Sequence, residues 1–209
     1  MEENRSIAEC IEKIVALEWK QFQAVHNEGG RASCQDDYET FEIMRKSQFL
    51  AWDEEVVRSY LIDIEKAEEK SWNLLTEKYA RMMESTAPEQ YAALSEHLPK
   101  RSEERIFMQE EIVRKRVEWE EAFAKEYPGL AGTGRSIHTF EDTPYNTSFE
   151  TYARGELGTY SDRTVALYLA MIKRMEKDGE NLSGKTLQYM VRFYGYSSIE
   201  EAERRYSRR

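Results

Sequence analysis

Apolar residues in this chain return at three- and four-residue steps in segment after segment, and no stretch alternates over a strand's length. A chain patterned this way buries stripes rather than pleats, so helix packed on helix is the architecture it admits. Ile7, Cys10, Ile11, Ile14, Phe22 and Val25 share a stripe over residues 6–26, with Gly29-Gly30 as the stop. Ser33 with Asp36 reads as a capping pair that opens a second helix through Trp52, with Tyr38, Phe41, Met44 and Trp52 inward. Asp53 caps a stretch over 54–84, predicted to break near Lys70–Asn73 because a helix of about 30 residues is long for a globular domain. Thr86-Ala87-Pro88-Glu89 marks another start. A helix over 103–127 carries Ile106, Val113, Val117 and Phe123. Further helices follow from Thr147, over 162–177, near 185–194 and from Ser198. The expected fold is all-α, a single-domain multi-helix bundle with one long irregular loop at 128–147 that could serve as a lid.

Charge and composition narrow the function classes. Thirty Lys+Arg against 40 Asp+Glu give a formal net charge of −10, which argues against non-specific nucleic-acid binding. An aromatic content of 12% is too high for a disordered acidic polymer. No run approaches a membrane span, and no signal-peptide core opens the chain, so no membrane partner is expected. Cys10 and Cys34 have no metal or redox spacing, which makes a reducing cytoplasm the expected compartment. His26, His97 and His138 lack the Glu-x-x-His pattern of di-iron bundles, and no metal site is expected. No cofactor is indicated. A homo-oligomer is compatible with the sequence.

The chemistry-bearing residues are charges on faces that should be apolar. Glu18 lies within the stripe of Ile11, Ile14, Phe22 and Val25, where a lone carboxylate would be heavily penalised unless paired, coordinated or protonated. Arg45 falls between Phe41 and Trp52, Asp37 and Gln48 border that face, and Lys78 sits among Leu74, Leu75 and Met82. Two readings stand: a structural salt-bridge network, or a polar pocket between helices. In the second, Glu18, Asp37 and Cys34 are catalytic candidates, and Arg31, Arg45, Lys78 and His138 are ligand-binding candidates. Such a pocket suits an amino-acid-like or carboxylate metabolite, bound or turned over, with Arg31 or Cys34 at its mouth. The rival is a protein-interaction or regulatory helical module whose buried charges only hold the fold. Asn27 to Asp37 joins two glycines to a helix start; it reads either as an anion nest or as a self-capped corner, with Cys34 as a buried, inert thiol. Ser183-Gly184-Lys185-Thr186 lacks the earlier glycine of a phosphate loop and reads as a helix start, and the Arg204, Arg205, Arg208 and Arg209 cluster as helix-end charge.

The strings GGRASCQDDYETFEIMRKSQFLAW (29–52), NLLTEKYARMMESTAPEQY (73–91) and TSFETYARGEL (147–157) resemble an uncharacterised family of bacterial, gut-anaerobe proteins catalogued as a domain of unknown function. The likeness implies a bacterial cytoplasmic helical protein and supplies no reaction and no catalytic residues.

Overall fold

The computed structural model describes residues 5–26 and 30–207. It is 74% helical, with eleven α-helices and no strand among the described residues. Gly29, expected to stop the first helix, lies outside the described residues, as do Asn27, Glu28, Arg208 and Arg209.

Helix α1 (Ile7–Gln23) opens on a capping box in which Ser6 and Glu9 satisfy each other's backbone N–H groups. Helix α2 runs from Tyr38 to Leu50, later than the expected start at Ser33. Residues 33–36 form a 3-10 turn instead, because Asp37 supplies the cap, its carboxylate accepting from the Thr40 N–H at 3.0 Å. That shift leaves Tyr38 and Met44 exposed, correcting the expected inward face, and buries Arg45, Ser47 and Phe49. The long third stretch divides as anticipated into α3 (Glu54–Glu69) and α4 (Leu74–Thr86), with Ser71 at φ 53° in the turn and Asn73 capping α4. Thr86 closes α4 rather than capping α5 (Pro88–Leu94), and its hydroxyl bonds the Met82 carbonyl.

Helix α6 (Glu103–Glu126) is the longest. Its inward stripe is Arg105, Gln109, Ile112 and Val113, and the expected Ile106 is exposed. Residues 128–147 are not one irregular loop. They contain a helical turn, α7 (Pro128–Ala131), and a 3-10 turn at Thr139–Glu141. The segment folds back on the bundle: Asp142 accepts from Ser85 Oγ, Thr151 Oγ1 and the Ser148 N–H, each at 2.6 Å. Phe140 and Tyr145 are exposed to solvent, and polar bonds of this kind do the anchoring. Helices α8 (Phe149–Leu157), α9 (Asp162–Lys177), α10 (Leu182–Phe193) and α11 (Ile199–Tyr206) complete the chain. Ser183–Thr186 lies in the first turn of α10, capped by Asn181.

Six helices close a ring. Helix α1 packs on α3, α3 on α9, α9 on α6, α6 on α8, α8 on α4, and α4 on α1. Helices α2 and α10 pack on each other and on the ring. The main core gathers Ile14, Val57, Ile64, Ile112, Val165 and Ile172, with an aromatic group of Phe49, Trp52, Tyr60, Tyr160 and Tyr168. Within that group Tyr60 and Tyr160 meet at a tilt with ring centroids 4.7 Å apart, and Trp52 meets Tyr168 edge-on at 5.0 Å. A smaller core of Phe123, Leu130, Val191 and Ala202 joins the end of α6 to α7, α10 and α11.

Candidate functional site

Glu18 is buried against the aromatic group, 1% exposed, and fully engaged. Arg45 grips it with both sides of its guanidinium, Nε to Oε2 at 2.7 Å and Nη2 to Oε1 at 2.6 Å, and Tyr60 donates to Oε1 at 2.7 Å. The remaining arginine nitrogen, Nη1, reaches Glu156 Oε1 at 2.7 Å and Gln48 Oε1 at 2.8 Å. A bidentate pair flanked by a second carboxylate is among the stronger charge-assisted arrangements. Burial alone would raise the Glu156 carboxyl, but Arg45, Lys78 and Arg116 outweigh it and hold its pKa at about 2. The helices bring Glu18 and Arg45 together as a network in which each nitrogen of Arg45 has an acceptor.

The other sequence candidates lie elsewhere. Asp37 is exposed and spends its carboxylate on the α2 cap, so it does not join Glu18. Cys34 is exposed, not the buried thiol expected, because the 3-10 turn carries it outward while Gln35 fills the interior. Arg31 is exposed and turns back on its own corner, to Asp36 at 2.9 Å and the Gln35 carbonyl at 2.8 Å. Lys78 is buried and donates to Tyr152 Oη at 2.7 Å; burial works against its charge, but Tyr152, Tyr79 and Glu156 keep the ammonium above the usual lysine range. Arg135 stacks on the same Tyr152 ring, 4.8 Å from its centroid. His138 pairs with Glu121 at 3.1 Å. Among the described residues, no three His, Cys, Asp or Glu side chains are placed to hold a metal ion.

Among the described residues, three prominent cavities lie elsewhere on the bundle, and none of these three is lined by Glu18, Asp37, Arg45 or Lys78. The smallest, about 160 Å³, touches the network only through Gln48 and Arg116. The first of the larger two has a volume of about 410 Å³, within the range of small-molecule sites. It opens between the end of α3, the start of α4, residues 99–105 and the turn after α8. Six cations face it, Lys66, Lys70, Arg81, Lys100, Arg101 and Arg105, against three carboxylates, Asp63, Glu77 and Asp162. Arg81 is neutralised by Glu77 at 2.7 Å. Among the described residues, Lys66, Lys70, Lys100 and Arg101 have no carboxylate within 4 Å.

Arg105 is the deepest of the six, 1% exposed. Its Nη2 donates to the Leu157 and Tyr160 carbonyls at 2.5 and 3.0 Å, closing the C-terminal end of α8. Its Nε has no hydrogen-bond acceptor, and Asp162 stands 3.5 Å away. Burial, then the adjacent Arg101 and Arg81, press on this charge and lower its pKa to about 10. Gly158 makes the crowding possible: a Cβ there would sit 2.6 Å from Arg81 Cδ and 3.1 Å from Arg101 Nη1. Arg81 and Arg101 crowd Gly158, and Arg105, with a buried donor unused, holds the carbonyls on either side of it, which gives this wall of the cavity an excess of positive charge.

Sequence reasoning passed over this cluster, although a signal was present. Arg105 and Gln109 continue the stripe of Ile112 and Val113 at helical spacing, the same anomaly that flagged Glu18. Glu156 had a comparable place, one residue before the buried Leu157. The surface lysines carry no such mark.

A family model described as a protein of unknown function, DUF4125, matches residues 8–204. The chain belongs to the DUF4125 family. No curated protein and no solved structure matches it. Both the buried network and the arginine cluster lie within the span of the DUF4125 match. No helix among the described residues is long and apolar enough to cross a membrane.

Proposed function

We propose that this DUF4125 member is a small-molecule-binding domain that takes an anionic metabolite in the cavity walled by Arg81, Arg101 and Arg105. One observation carries the reading. In a chain of net charge −10, four cations without a carboxylate partner converge on a single cavity beside a buried arginine whose Nε is unsatisfied. An acidic protein has carboxylates to spare, so unpaired positive charge around one concavity favours a ligand that brings its own negative charge. We move the carboxylate-metabolite class expected from the sequence to this new position and give the Glu18–Arg45 network the structural role. A bacterial, cytoplasmic setting fits the family resemblance and two cysteines that are both unpaired.

Thermal unfolding across a panel of carboxylates and phosphates tests the reading, since a ligand that binds only the folded state raises its stability by mass action, by about 2.7 kcal/mol at a hundred times Kd. The expected result is a rise in Tm with anions for the wild type and a smaller rise for Arg101→Met. If no anion at millimolar concentration moves the Tm of the wild type, the reading fails and the interaction-module alternative takes its place.

A further inference from the structure

The cation-lined cavity does not end at its arginines. Arg81 and Arg101 also wall a second cavity of about 560 Å³ that continues along the same faces. Helix α4 lends Leu74, Glu77 and Arg81 to the first chamber and Arg81, Glu84 and Ser85 to the second, a run at three- and four-residue spacing. Helices α4 and α6 each pack on α8, which floors the groove between them. Gly158 lies under the first chamber and Gly155 under the second. A Cβ on Gly155 would stand 2.7 Å from Met82 Cγ and 3.0 Å from the Lys78 carbonyl, so α8 is held close to α4 along this floor.

The two chambers differ in chemistry. The second is lined by Glu84, Gln109 and Glu110, and by Ser85, Thr139 and Thr151, whose hydroxyls bond Asp142 or one another. Its own cation, Arg154, is already neutralised by Glu110 at 3.0 Å and Glu150 at 2.8 Å. Glu84 is exposed and has no cation within 4 Å among the described residues. A second anionic group would be repelled there, whereas hydroxyl groups can donate to these carboxylates, Glu84 above all; the Gln109 carbonyl already accepts from Arg101 at 3.0 Å and Arg105 at 3.3 Å. On the other side, Lys66, Lys70, Lys100 and Arg101 line the first chamber without a carboxylate partner among the described residues, beside Arg81, paired with Glu77, and Arg105, 3.5 Å from Asp162. That excess of positive charge suits a dianion better than a single carboxylate, and a phosphate monoester carries close to two charges at neutral pH.

We propose that the groove holds a phosphorylated polyol, its phosphate at Arg81, Arg101 and Arg105 and its hydroxylated body in the chamber bordered by Glu84 and Glu110. The assignment rests on the anion-binding reading above and narrows it to one ligand class.

Calorimetric titration of the whole chain tests it, using inorganic phosphate, three phosphorylated polyols (glycerol 3-phosphate, ribose 5-phosphate and glucose 6-phosphate), unphosphorylated glucose and a dicarboxylate, succinate. At least one phosphorylated polyol should bind ten or more times as tightly as inorganic phosphate, and glucose should not bind detectably. Glu84→Ala, on an exposed side chain, should bring that ligand down toward the affinity of phosphate while leaving phosphate itself unchanged. Arg101→Met should weaken both. If all three esters bind no better than inorganic phosphate, the two-chamber assignment is overturned and the anion site stands. If neither phosphate nor any ester binds while a carboxylate does, the phosphate assignment falls alone. If no anion binds, the underlying reading falls with it.

Discussion

Arg45 holds two carboxylates that come from helices more than a hundred residues apart in sequence, and that makes Glu18 and Glu156 the side chains whose loss the fold will feel most. Glu18→Ala strands a 7%-exposed guanidinium with only Glu156 and Gln48 as partners. Breaking one side of a buried pair costs about 3–5 kcal/mol, and urea unfolding of the variant should show a loss of that size. Glu156 adds a pH signature. Its carboxyl is held at about 2 in the folded state against an ordinary 4.5, so its contribution is complete above pH 4.5 and drains away as the pH falls toward 2. A depression of that size corresponds to about 3 kcal/mol. Denaturant titrations at pH 6, 4 and 3 should show the wild type losing more stability over this range than Glu156→Gln, and equal losses would contradict the assignment. Glu18 and Arg45 were legible as intruders on apolar stripes because helical geometry converts sequence spacing into direction. A salt-bridge network was one of the two readings of that spacing, and the Glu18–Arg45 pair bears it out. The choice of Arg45 over Lys78, with Glu156 as a second carboxylate, was not legible, because it depends on how the helices are rotated against one another.

At the scale of elements, the caps explain both what the sequence disclosed and what it concealed. Ser6, Asn73, Ser148 and Ser198 cap the helices they precede, so those boundaries follow from local chemistry. The start of α2 moved because Ser33 and Asp37 offer competing caps four residues apart, and the interior position of Gln35 decides between them. Its Nε2 donates to the Phe22 and Val25 carbonyls, a tertiary contact that local pattern does not reveal. The 128–147 segment shows the same limit: its glycines and prolines announce a connection, but its order comes from Asp142. Asp142→Ala removes the acceptor for Ser85, Thr151 and the Ser148 N–H together. Limited proteolysis should then cut between Gly132 and Asn146 several-fold faster than in the wild type, with the helices of the ring still protected. Unchanged cleavage would mean that the segment is held by something other than this clasp.

At the scale of the molecule, two of the three cores among the described residues, unequal in size, share α6 and α10, and the third joins Phe22 and Val25 to Leu75. The larger engages the ring helices through wholly buried residues such as Ile14, Ile64, Val165 and Met175, whereas the smaller has Phe123, Leu130, Val191 and Ala202 at its centre. Stability is not uniform in such an arrangement, and segments with few buried contacts open below the global free energy. Hydrogen exchange should show amides of α7 and α11 exchanging well before those of α1, α3 and α9. Exchange of all of them at one common rate would mean that the small core unfolds only with the large one. The overall class was readable from periodicity alone. The order of helices around the ring was not, since any amphipathic helix fits many partners, and only shape and the few buried polar pairs select among them.

That ring has a consequence for how the chain is made. Helix α4 meets α8, and Arg45 meets Glu156, across a separation that a ribosome adding 5–20 residues per second needs roughly 5–20 s to bridge. During that interval the N-terminal half has emerged with Arg45 able to find Glu18 but not its second carboxylate, and with one face of α4 unpaired. The nascent chain therefore waits, partly condensed, for its own later sequence, and substitutions that weaken α8 will register first as poor yield during synthesis rather than as instability of the finished protein.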